Sequence, residues 1–458
     1  MLQTLRGSLN RWSLWNTQST NRRIFAQALT ISALTVAVKL ASLTKDLAVV
    51  HRFGASDALD AFLVAFLIPS YAINVLASTF SVSFMPTYVR VRDQLGRGPA
   101  QRLISSAVTC QLAALLFVVL IAAISAPFLL TAVAGGFDHE KLALTESLFY
   151  KLLVVLLLSG MSSLMASVLN AAQRFSLTSA APMAVPLVTV LVLIHAWPQC
   201  DIDALAWGTV SGYALELLVL VWGVRQLKLS ILPGWWGMNG HLKQINKQYL
   251  AAVGSVFLMG SSPLVDQAIA TRLGPGSVTV LTFGNKAVAL LLGTTMASLS
   301  IAIFPHFSRM AAAADWTGLR HTLRTYCKLV LVTTIPLTAA AVALSQPLAT
   351  LLFHRGSMTW ETTHEIGRVQ AVYLLQLPFT MLGMIGVRLL SALELNSTLL
   401  KIGAANLVVN ILCSLLLAPW LGVVGIALST TLMYVFATLL IFASARCRLR
   451  ELSRSQET

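Results

Sequence analysis

Long apolar stretches separated by short polar segments run through most of the chain, from residue 25 to residue 444. A stretch of about 18 or more apolar residues is long enough to cross a bilayer as a helix. The pattern therefore predicts an all-α integral membrane protein with about twelve transmembrane helices. These spans, numbered in chain order, are 25–50, 58–87, 104–134, 148–168, 178–197, 203–224, 248–271, 278–307, 325–352, 370–393, 399–418 and 423–444.

A short motif occurs once in each half of the chain. The segment DLAVVHRFG, from Asp46 to Gly54, returns about 220 residues later as DQAIATRLG, from Asp266 to Gly274. The spans also divide six and six, and an even number of helices per half makes both copies enter the membrane in the same direction. We therefore expect two parallel six-helix repeats around a central cavity, an arrangement typical of transporters that open to each side in turn.

The polar segments define the predicted domain organisation. Two six-helix lobes are joined by a cytoplasmic linker and flanked by basic ends. The predicted parts are a basic N-terminal arm at 1–24, an N-terminal lobe at 25–224, a linker at 225–247, a C-terminal lobe at 248–444 and a basic tail at 445–458.

Composition and charge agree with a membrane protein. Hydrophobic residues make up 57% of the chain and charged residues only 11%, whereas soluble domains contain about 25% charged residues. Most of the 32 lysines and arginines fall in loops on one predicted side, together with both termini. The positive-inside rule places that side in the cytoplasm and the loops 135–147 and 353–369 in the periplasm. Insertion and anionic lipid explain the net charge of +15, so no nucleic-acid partner is expected.

Motifs for catalysis or metal binding are not visible in the sequence. The five cysteines are scattered, without the spacing of a metal site. The sequence contains no phosphate-binding loop and no hydrolase or metalloprotease motif, and the loops are too short for a catalytic domain. We expect a transporter and not an enzyme, with no cofactor and no metal.

Three lysines lie more than three residues from either end of a predicted span, and each costs roughly 2.5–3.5 kcal/mol at a helix centre. Lys39 and Lys45 belong to span 1 and Lys286 to span 8. Lys39 and Asp46 are seven residues apart, so they share a helix face about 10 Å apart along the axis. Lys45 and Lys286 come from different halves but lie at a similar predicted depth. The arrangement predicts an anionic substrate between the halves.

Structural roles for these charges remain open alternatives. Lys45 lies within snorkelling distance of the outer interface, and Lys39 or Lys45 can pair with Asp46 or Glu216. Glu216, in span 6, fits a cation or proton site as well as an ion pair with a lysine. Asp266 is expected either to hold Arg272 or a helix end, or to take part in ion coupling.

Four segments resemble the MurJ/MviN lipid II flippase family of the multidrug/oligosaccharidyl-lipid/polysaccharide exporter superfamily. They are Lys45–Ser70, Leu169–Val188, Gly276–Lys286 and Leu351–Glu361. The resemblance runs in order over about residues 24–445. It implies a bacterial inner-membrane protein with two six-helix lobes around a cationic cavity. It also implies alternating access that carries undecaprenyl-pyrophosphate-linked sugar precursors from the cytoplasmic to the periplasmic leaflet.

The resemblance also suggests roles for individual residues. Lys39, Lys45 and Lys286 stand where family members place cavity arginines, so they would bind the pyrophosphate, with Asn74 and Asn285 near the phosphate or the sugar. Lysine keeps the charge but loses the two-pronged donor geometry of arginine. The basic pair expected in span 2 is also missing, as are two further helices that the peptidoglycan members carry. These departures slightly favour an exopolysaccharide precursor over lipid II.

Two other functions compete with a flippase. A cation-coupled exporter of drugs or organic cations would need acidic residues in its cavity, whereas the buried charges here are mainly basic. A non-transporting scaffold of an envelope-synthesis complex would leave the intramembrane lysines unexplained. For the flippase we expect energy from the membrane potential, H⁺ or Na⁺. Its expected partners are a polyprenyl-diphosphate-linked glycan, membrane lipids and envelope glycan synthesis proteins.

Overall fold

The computed structural model describes residues 20–195, 202–234 and 260–457, together with residues 236, 245, 246, 249, 253, 254, 256 and 257. Every regular element in this part of the chain is helical, which confirms the predicted all-α fold. The α-helices are α1 Thr20–Phe53, α2 Asp57–Ala72, α3 Ser78–Leu95, α4 Arg97–Ile124, α5 Ala126–Val133, α6 His139–Ala171, α7 Phe175–Ala180, α8 Ala184–His195, α9 Ile202–Gln226, α10 Ser262–Ala270, α11 Ser277–Gly284, α12 Lys286–Ala312, α13 Trp316–Phe353, α14 Trp360–Leu374, α15 Leu377–Ala392, α16 Asn396–Leu421 and α17 Val423–Glu457.

Nine helical stretches among the described residues are long and apolar enough to cross a membrane. They coincide with nine of the twelve predicted spans. Of the other three, 25–50 lies within α1 and 278–307 falls on α11 and α12. Most of the span predicted at 248–271 lies outside the described residues, and its last part is α10.

Five predicted spans, 58–87, 104–134, 178–197, 278–307 and 370–393, are interrupted in the described part of the chain. A proline lies close to the first two of these interruptions. A five-residue π-helix, Ile73–Ala77, separates α2 from α3 within the span predicted at 58–87. Pro69 precedes it by one turn, and a proline inside a helix removes a backbone hydrogen bond and disturbs the ladder around it. The span predicted at 104–134 breaks at Ser125, just before a proline in the first turn of α5. Both prediction errors arise because hydrophobicity continues across a kink.

The described residues pack as two compact units. The first unit comprises Met1–Ala48, Ala72–Ala123 and Lys151–Leu250. Its core consists of apolar side chains from α3, α4, α6 and α9, including Phe84, Ile104, Leu164, Met165, Leu169 and Val224.

The second unit comprises Val49–Tyr71, Ile124–Tyr150 and Ala251–Thr458. Its core consists of apolar side chains from α12, α13, α15, α16 and α17, including Phe307, Leu319, Ile385, Leu389, Ile402 and Ile441. Two short segments from the first half of the sequence thus pack with the second half.

Candidate functional site

Lys45 and Glu216 lie on the wall of one cavity in the first unit. The cavity has a volume of about 350 Å³, and its walls come from α1, the beginning of α8 with the short turn before it, and α9. It therefore places a lysine and a carboxylate in one confined space within the helical bundle. The lining residues are Val38, Ser42, Lys45, Pro182, Val185, Pro186, Tyr213 and Glu216.

Helical periodicity brings these polar side chains together. Ser42 and Lys45 are three residues apart on α1, and Tyr213 and Glu216 are three apart on α9, so each pair shares a helix face. The helices α8 and α9 approach closely at Gly212, where a Cβ would lie 2.6 Å from the Cα of Val185. A larger residue at position 212 would push α8 away and change the cavity wall.

Lys45 forms an ion pair with Asp46, one of the pairings that the sequence left open. The Lys45 Nζ lies 3.3 Å from Oδ1 of Asp46, and the two side chains are 29% and 11% exposed. Lys45 is therefore half-buried, with one carboxylate as its ion-pair partner and a second, Glu216, on the wall of the same cavity. An anion bound to Lys45 would compete with Asp46.

The other two candidate residues of the first unit lie apart from this cavity wall. Lys39 is half-buried on α1, six residues before Lys45, and does not line the cavity. Asn74 is exposed and belongs to the π-helix between α2 and α3. Single π-turns inside α-helices frequently occur at functional sites, so this local geometry keeps Asn74 among the candidates.

A larger cavity, about 540 Å³ in volume, lies in the second unit. Asp266 of α10 and Asn285, between α11 and α12, both line it. The wall also contains several neutral polar side chains from α14, α16 and α17. The polar lining residues are Ser262, Asp266, Gln267, Thr282, Asn285, Tyr373, Gln376, Asn406, Thr430 and Tyr434.

Asp266 is bound by neutral donors instead of the expected Arg272. Its Oδ1 accepts a hydrogen bond from Asn410 Nδ2 at 3.1 Å, and its Oδ2 accepts one from Thr430 Oγ1 at 2.9 Å. Asp266 is only 4% exposed, whereas Arg272 is exposed beyond the end of α10. A buried carboxylate among neutral partners is stable when it takes up a proton or holds a cation beside it.

Lys286 lies next to this cavity but not on its wall. It is the first residue of α12, and Asn285 directly before it lines the cavity. The Lys286 Nζ lies 5.8 Å from the centre of the Phe283 ring, within the distance at which an aromatic face attracts a cation. The second unit thus brings Asp266 and Asn285 together and leaves Lys286 one residue away.

The sequence analysis assigned no role to Asp60. In the structure its carboxylate makes three hydrogen bonds and one ion pair. Asp60 is fully buried in α2. Its Oδ1 accepts hydrogen bonds from the backbone N–H of Thr279 at 2.9 Å and from the Thr279 hydroxyl at 2.7 Å. Its Oδ2 accepts the backbone N–H of Gly276 at 2.7 Å and lies 3.2 Å from Lys141 Nζ. The carboxylate thus occupies the N-terminus of α11, where the helix dipole favours negative charge.

Lys141 and Gly276 complete this cluster. Lys141 also contacts Asp57 at 2.6 Å, so two carboxylates share one lysine. Gly276 adopts a φ of +78°, and a Cβ there would lie 3.0 Å from the carbonyl oxygen of Ala55. The available sequence signal was Asp60 itself, a second acid three residues after Asp57 at the start of an apolar span.

Within the described part of the chain, no three His, Cys, Asp or Glu side chains lie close enough together to hold a metal ion. The polar chemistry of both cavities consists of lysine, single carboxylates, amides and hydroxyls.

The family described as "Lipid II flippase MurJ" matches residues 49–455. The chain is 24% identical over 438 residues to the lipid II flippase MurJ of Burkholderia cenocepacia. This alignment covers 93% of this chain and 84% of that protein. It is 26% identical over 412 residues to a probable lipid II flippase MurJ of Helicobacter pylori. This alignment covers 84% of this chain and 86% of that protein.

Two solved structures have a similar fold. A lipid II flippase MurJ in an inward closed conformation matches with a TM-score of 0.79 at 18% identity, and the match covers 91% of this chain and 87% of that one. An inward-facing multidrug resistance transporter of the MATE family, within the MOP superfamily, also matches with a TM-score of 0.79. Its identity is 14%, over 92% of this chain and 99% of that chain.

Proposed function

Because the chain belongs to the lipid II flippase MurJ family, we propose that it carries a polyprenyl-diphosphate-linked saccharide across the bacterial inner membrane by alternating access. The observation that carries this proposal is the position of Lys45. A half-buried lysine on an apolar helix, facing a cavity, is costly to insert. Asp46 offsets part of that cost, and an anionic ligand offsets the rest. The pyrophosphate of such a carrier lipid supplies the anion.

The pyrophosphate is bound by Lys39 and Lys45 from the N-terminal lobe and by Lys286 from the C-terminal lobe. Ammonium groups bind phosphate oxygens through charge-assisted hydrogen bonds, as point charges without a fixed fork. Asn74 and Asn285 supply neutral donors to the phosphate or the sugar. Asp46 holds Lys45 when the site is empty, so substrate binding exchanges one anion for another.

Coupling to an ion is assigned to Asp266. A buried acid whose hydrogen-bond partners are Asn410 and Thr430 gains most from a proton or a small cation such as Na⁺, because either one neutralises it in place. Both termini face the cytoplasm, as the distribution of lysine and arginine indicates. The lobes comprise residues 25–224 and 248–444.

Transport of lipid II is tested by complementation. The chain is expressed in bacteria depleted of their own lipid II flippase, and periplasmic lipid II is measured. Restored growth with periplasmic lipid II identifies lipid II as a substrate. Lysis despite normal amounts of membrane protein rejects lipid II and leaves an exopolysaccharide precursor as the cargo, which export of the glycan in its own host then checks.

The role of the lysines is tested in whichever assay reports transport. Lys45→Ala and Lys286→Ala abolish transport while the protein still inserts and folds, and the corresponding arginine variants keep much of it. The matched control is Lys328→Ala, which removes an exposed lysine of α13. Full transport by both alanine variants would refute the pyrophosphate role.

A cation-coupled multidrug exporter is the second candidate, favoured by the two cavity carboxylates Glu216 and Asp266. Such an exporter would bind organic cations directly to these acids. Its signature is dye efflux that is lost in Glu216→Gln and retained in Lys45→Ala. The flippase predicts the reverse sensitivity for glycan transport.

A further inference from the structure

Four side chains with unused hydrogen-bonding capacity line the cavity of the second unit. Gln267 belongs to α10, and Gln376 lies between α14 and α15. The Oε1 atom of each is buried and has no hydrogen-bond partner among the described residues. The same is true of Thr282 Oγ1 on α11 and of Asn406 Oδ1 on α16. Because buried polar atoms in folded proteins are nearly always paired, four unpaired oxygens on one cavity wall favour a ligand that pairs with them.

Two interruptions of predicted spans lie at this wall. Asn285 separates α11 from α12, whereas Leu375 and Gln376 separate α14 from α15. Asn285 and Gln376 both line the cavity. Irregular backbone at membrane depth is tolerated where it is buried in protein or lines a polar cavity, and interrupted helices commonly form the substrate sites of transporters. The position of the two interruptions is a second, independent indication of a ligand.

The cavity wall is polar but nearly uncharged. Asp266 is the one charged side chain among the described lining residues, and its two oxygens already accept hydrogen bonds from Asn410 and Thr430. An anionic ligand would meet no lysine or arginine among those residues. A cationic ligand would have to compete with the two donors of Asp266. Since a charge buried without a partner is costly, the wall favours an uncharged ligand.

Sugar hydroxyls match the chemistry of this wall. A hydroxyl both donates and accepts hydrogen bonds, and so does a side-chain amide. The unpaired amide oxygens lie against the protein, but the last torsion of an Asn or Gln side chain is broad, so rotation of the amide towards a ligand costs little. Leu281 and Tyr434 line the same cavity and offer apolar surface, in the case of tyrosine with a polar hydroxyl at the ring edge.

The position of Lys286 indicates which sugar of the cargo lies closest to the cavity. Lys286 directly follows Asn285, a residue of the cavity wall, and it is one of the three lysines assigned to the diphosphate. In a polyprenyl-diphosphate-linked saccharide the first sugar is bonded directly to the diphosphate. A diphosphate at Lys286 therefore brings the first sugar next to Asn285.

We propose that the cavity of the second unit binds this first sugar, that the sugar is uncharged and rich in hydroxyl groups, and that Gln267, Gln376 and Asn406 are its hydrogen-bond partners. The site depends on the proposed function, since the sugar belongs to the proposed cargo, and it adds the class of sugar that the protein accepts. A sugar with a carboxylate binds more weakly, because Asp266 repels it and the described wall offers no cation.

The test compares three lipids as ligands of the full purified chain in detergent, with dissociation constants measured by native mass spectrometry. The probes are undecaprenyl diphosphate, the same lipid carrying one glucose and the same lipid carrying one glucuronic acid. The unmodified chain binds the glucose lipid about thirtyfold more tightly than the sugar-free lipid, equivalent to about 2 kcal/mol or two hydrogen bonds. It binds the glucuronic acid lipid less tightly than the glucose lipid.

The double variant Gln267→Met/Gln376→Met removes both amides and keeps side chains of similar length. It loses the preference for glucose, so the two affinities agree within about twofold, while the affinity for the sugar-free lipid is unchanged. Because neither Oε1 has a partner in the described structure, the unfolding temperature without lipid should change little. A merely structural role of the two glutamines would instead lower the unfolding temperature and leave the preference for glucose intact.

Gln111→Met is the matched control. Gln111 is 1% exposed, and its Nε2 also lacks a partner among the described residues, but it lines a different cavity, in the first unit. This variant also exchanges a buried amide for a thioether. It keeps the full preference for the glucose lipid, because its side chain is not part of the proposed site.

The outcomes separate this proposal from the proposed function. Binding of the sugar-free and the glucose lipid with equal affinity by the unmodified chain would overturn the sugar site and leave the flippase function standing. A preference for glucose that survives in the double variant would do the same. Binding of none of the three lipids would reject both. Loss of tetraphenylphosphonium binding in the double variant, with the glucose preference unchanged, would make the cavity a site for organic cations.

Discussion

The carboxylate of Asp60 accepts a hydrogen bond from the backbone N–H of Gly276 at 2.7 Å, although 216 positions separate the two residues in the sequence. The contact joins the second predicted span to the N-terminus of α11 in the second half of the chain. Both residues belong to the second unit, so the contact holds α2 to the N-terminus of α11 within that unit.

Asp60→Asn is expected to destabilise the protein, because it removes a buried charge opposite Lys141 and replaces one accepting oxygen with an NH2 donor that faces other donors. Breaking one partner of a buried pair typically costs about 3–5 kcal/mol, so the unfolding temperature in detergent should fall clearly. Asp57→Asn is the control. The Asp57 side chain is 60% exposed, so this substitution should lower the unfolding temperature less. Adding Lys141→Met to Asp60→Asn should restore part of the stability, and no recovery would contradict the pairing.

Gly54→Ala should destabilise the second unit through a direct clash. Gly54 has a φ of +57°, and a Cβ there would lie 2.4 Å from the carbonyl oxygen of Ser357. A left-handed backbone alone costs an L-residue about 1–2 kcal/mol. Gly96→Ala measures that contribution, because Gly96 has a φ of +86° and nothing within 4 Å of its Cβ position. A larger drop in unfolding temperature is expected for Gly54→Ala, and equal drops would show that the clash is relieved.

Asp266→Asn should fold and yet lose any response to cations. An asparagine keeps one acceptor for Asn410, and the Thr430 hydroxyl already has a second acceptor in the carbonyl of Ile426 at 3.1 Å. The measurement is the unfolding temperature in sodium chloride against choline chloride at equal ionic strength. The unmodified chain should be stabilised by sodium, as expected for a ligand that binds only the folded state. An identical response in both proteins would remove Asp266 from the coupling role.

The orientation can be tested by cysteine labelling in a chain whose five native cysteines have been replaced. Arg355 and Arg97 are both exposed and lie at opposite predicted ends of the bundle. In intact cells an impermeant thiol reagent should label Arg355→Cys and should label Arg97→Cys only after the membrane is opened. The reverse pattern would invert the proposed topology.

The sequence by itself determined the fold class and nine of the membrane-length helices. Helix length and hydrophobicity are local properties, since each apolar stretch must satisfy its own backbone hydrogen bonds inside the bilayer. The sequence also singled out Lys45 and Asp266, because a charge inside an apolar run is costly wherever the helix packs.

The tertiary structure alone decided what those charges contact. Asp266 is held by Asn410 and Thr430, which lie 144 and 164 positions away, and Asp60 is held by the N-terminus of α11. A neutral amide or hydroxyl in a span costs little and leaves no mark in the hydrophobic pattern. Its role appears only when packing places it against a carboxylate, and that placement depends on the register of distant helices.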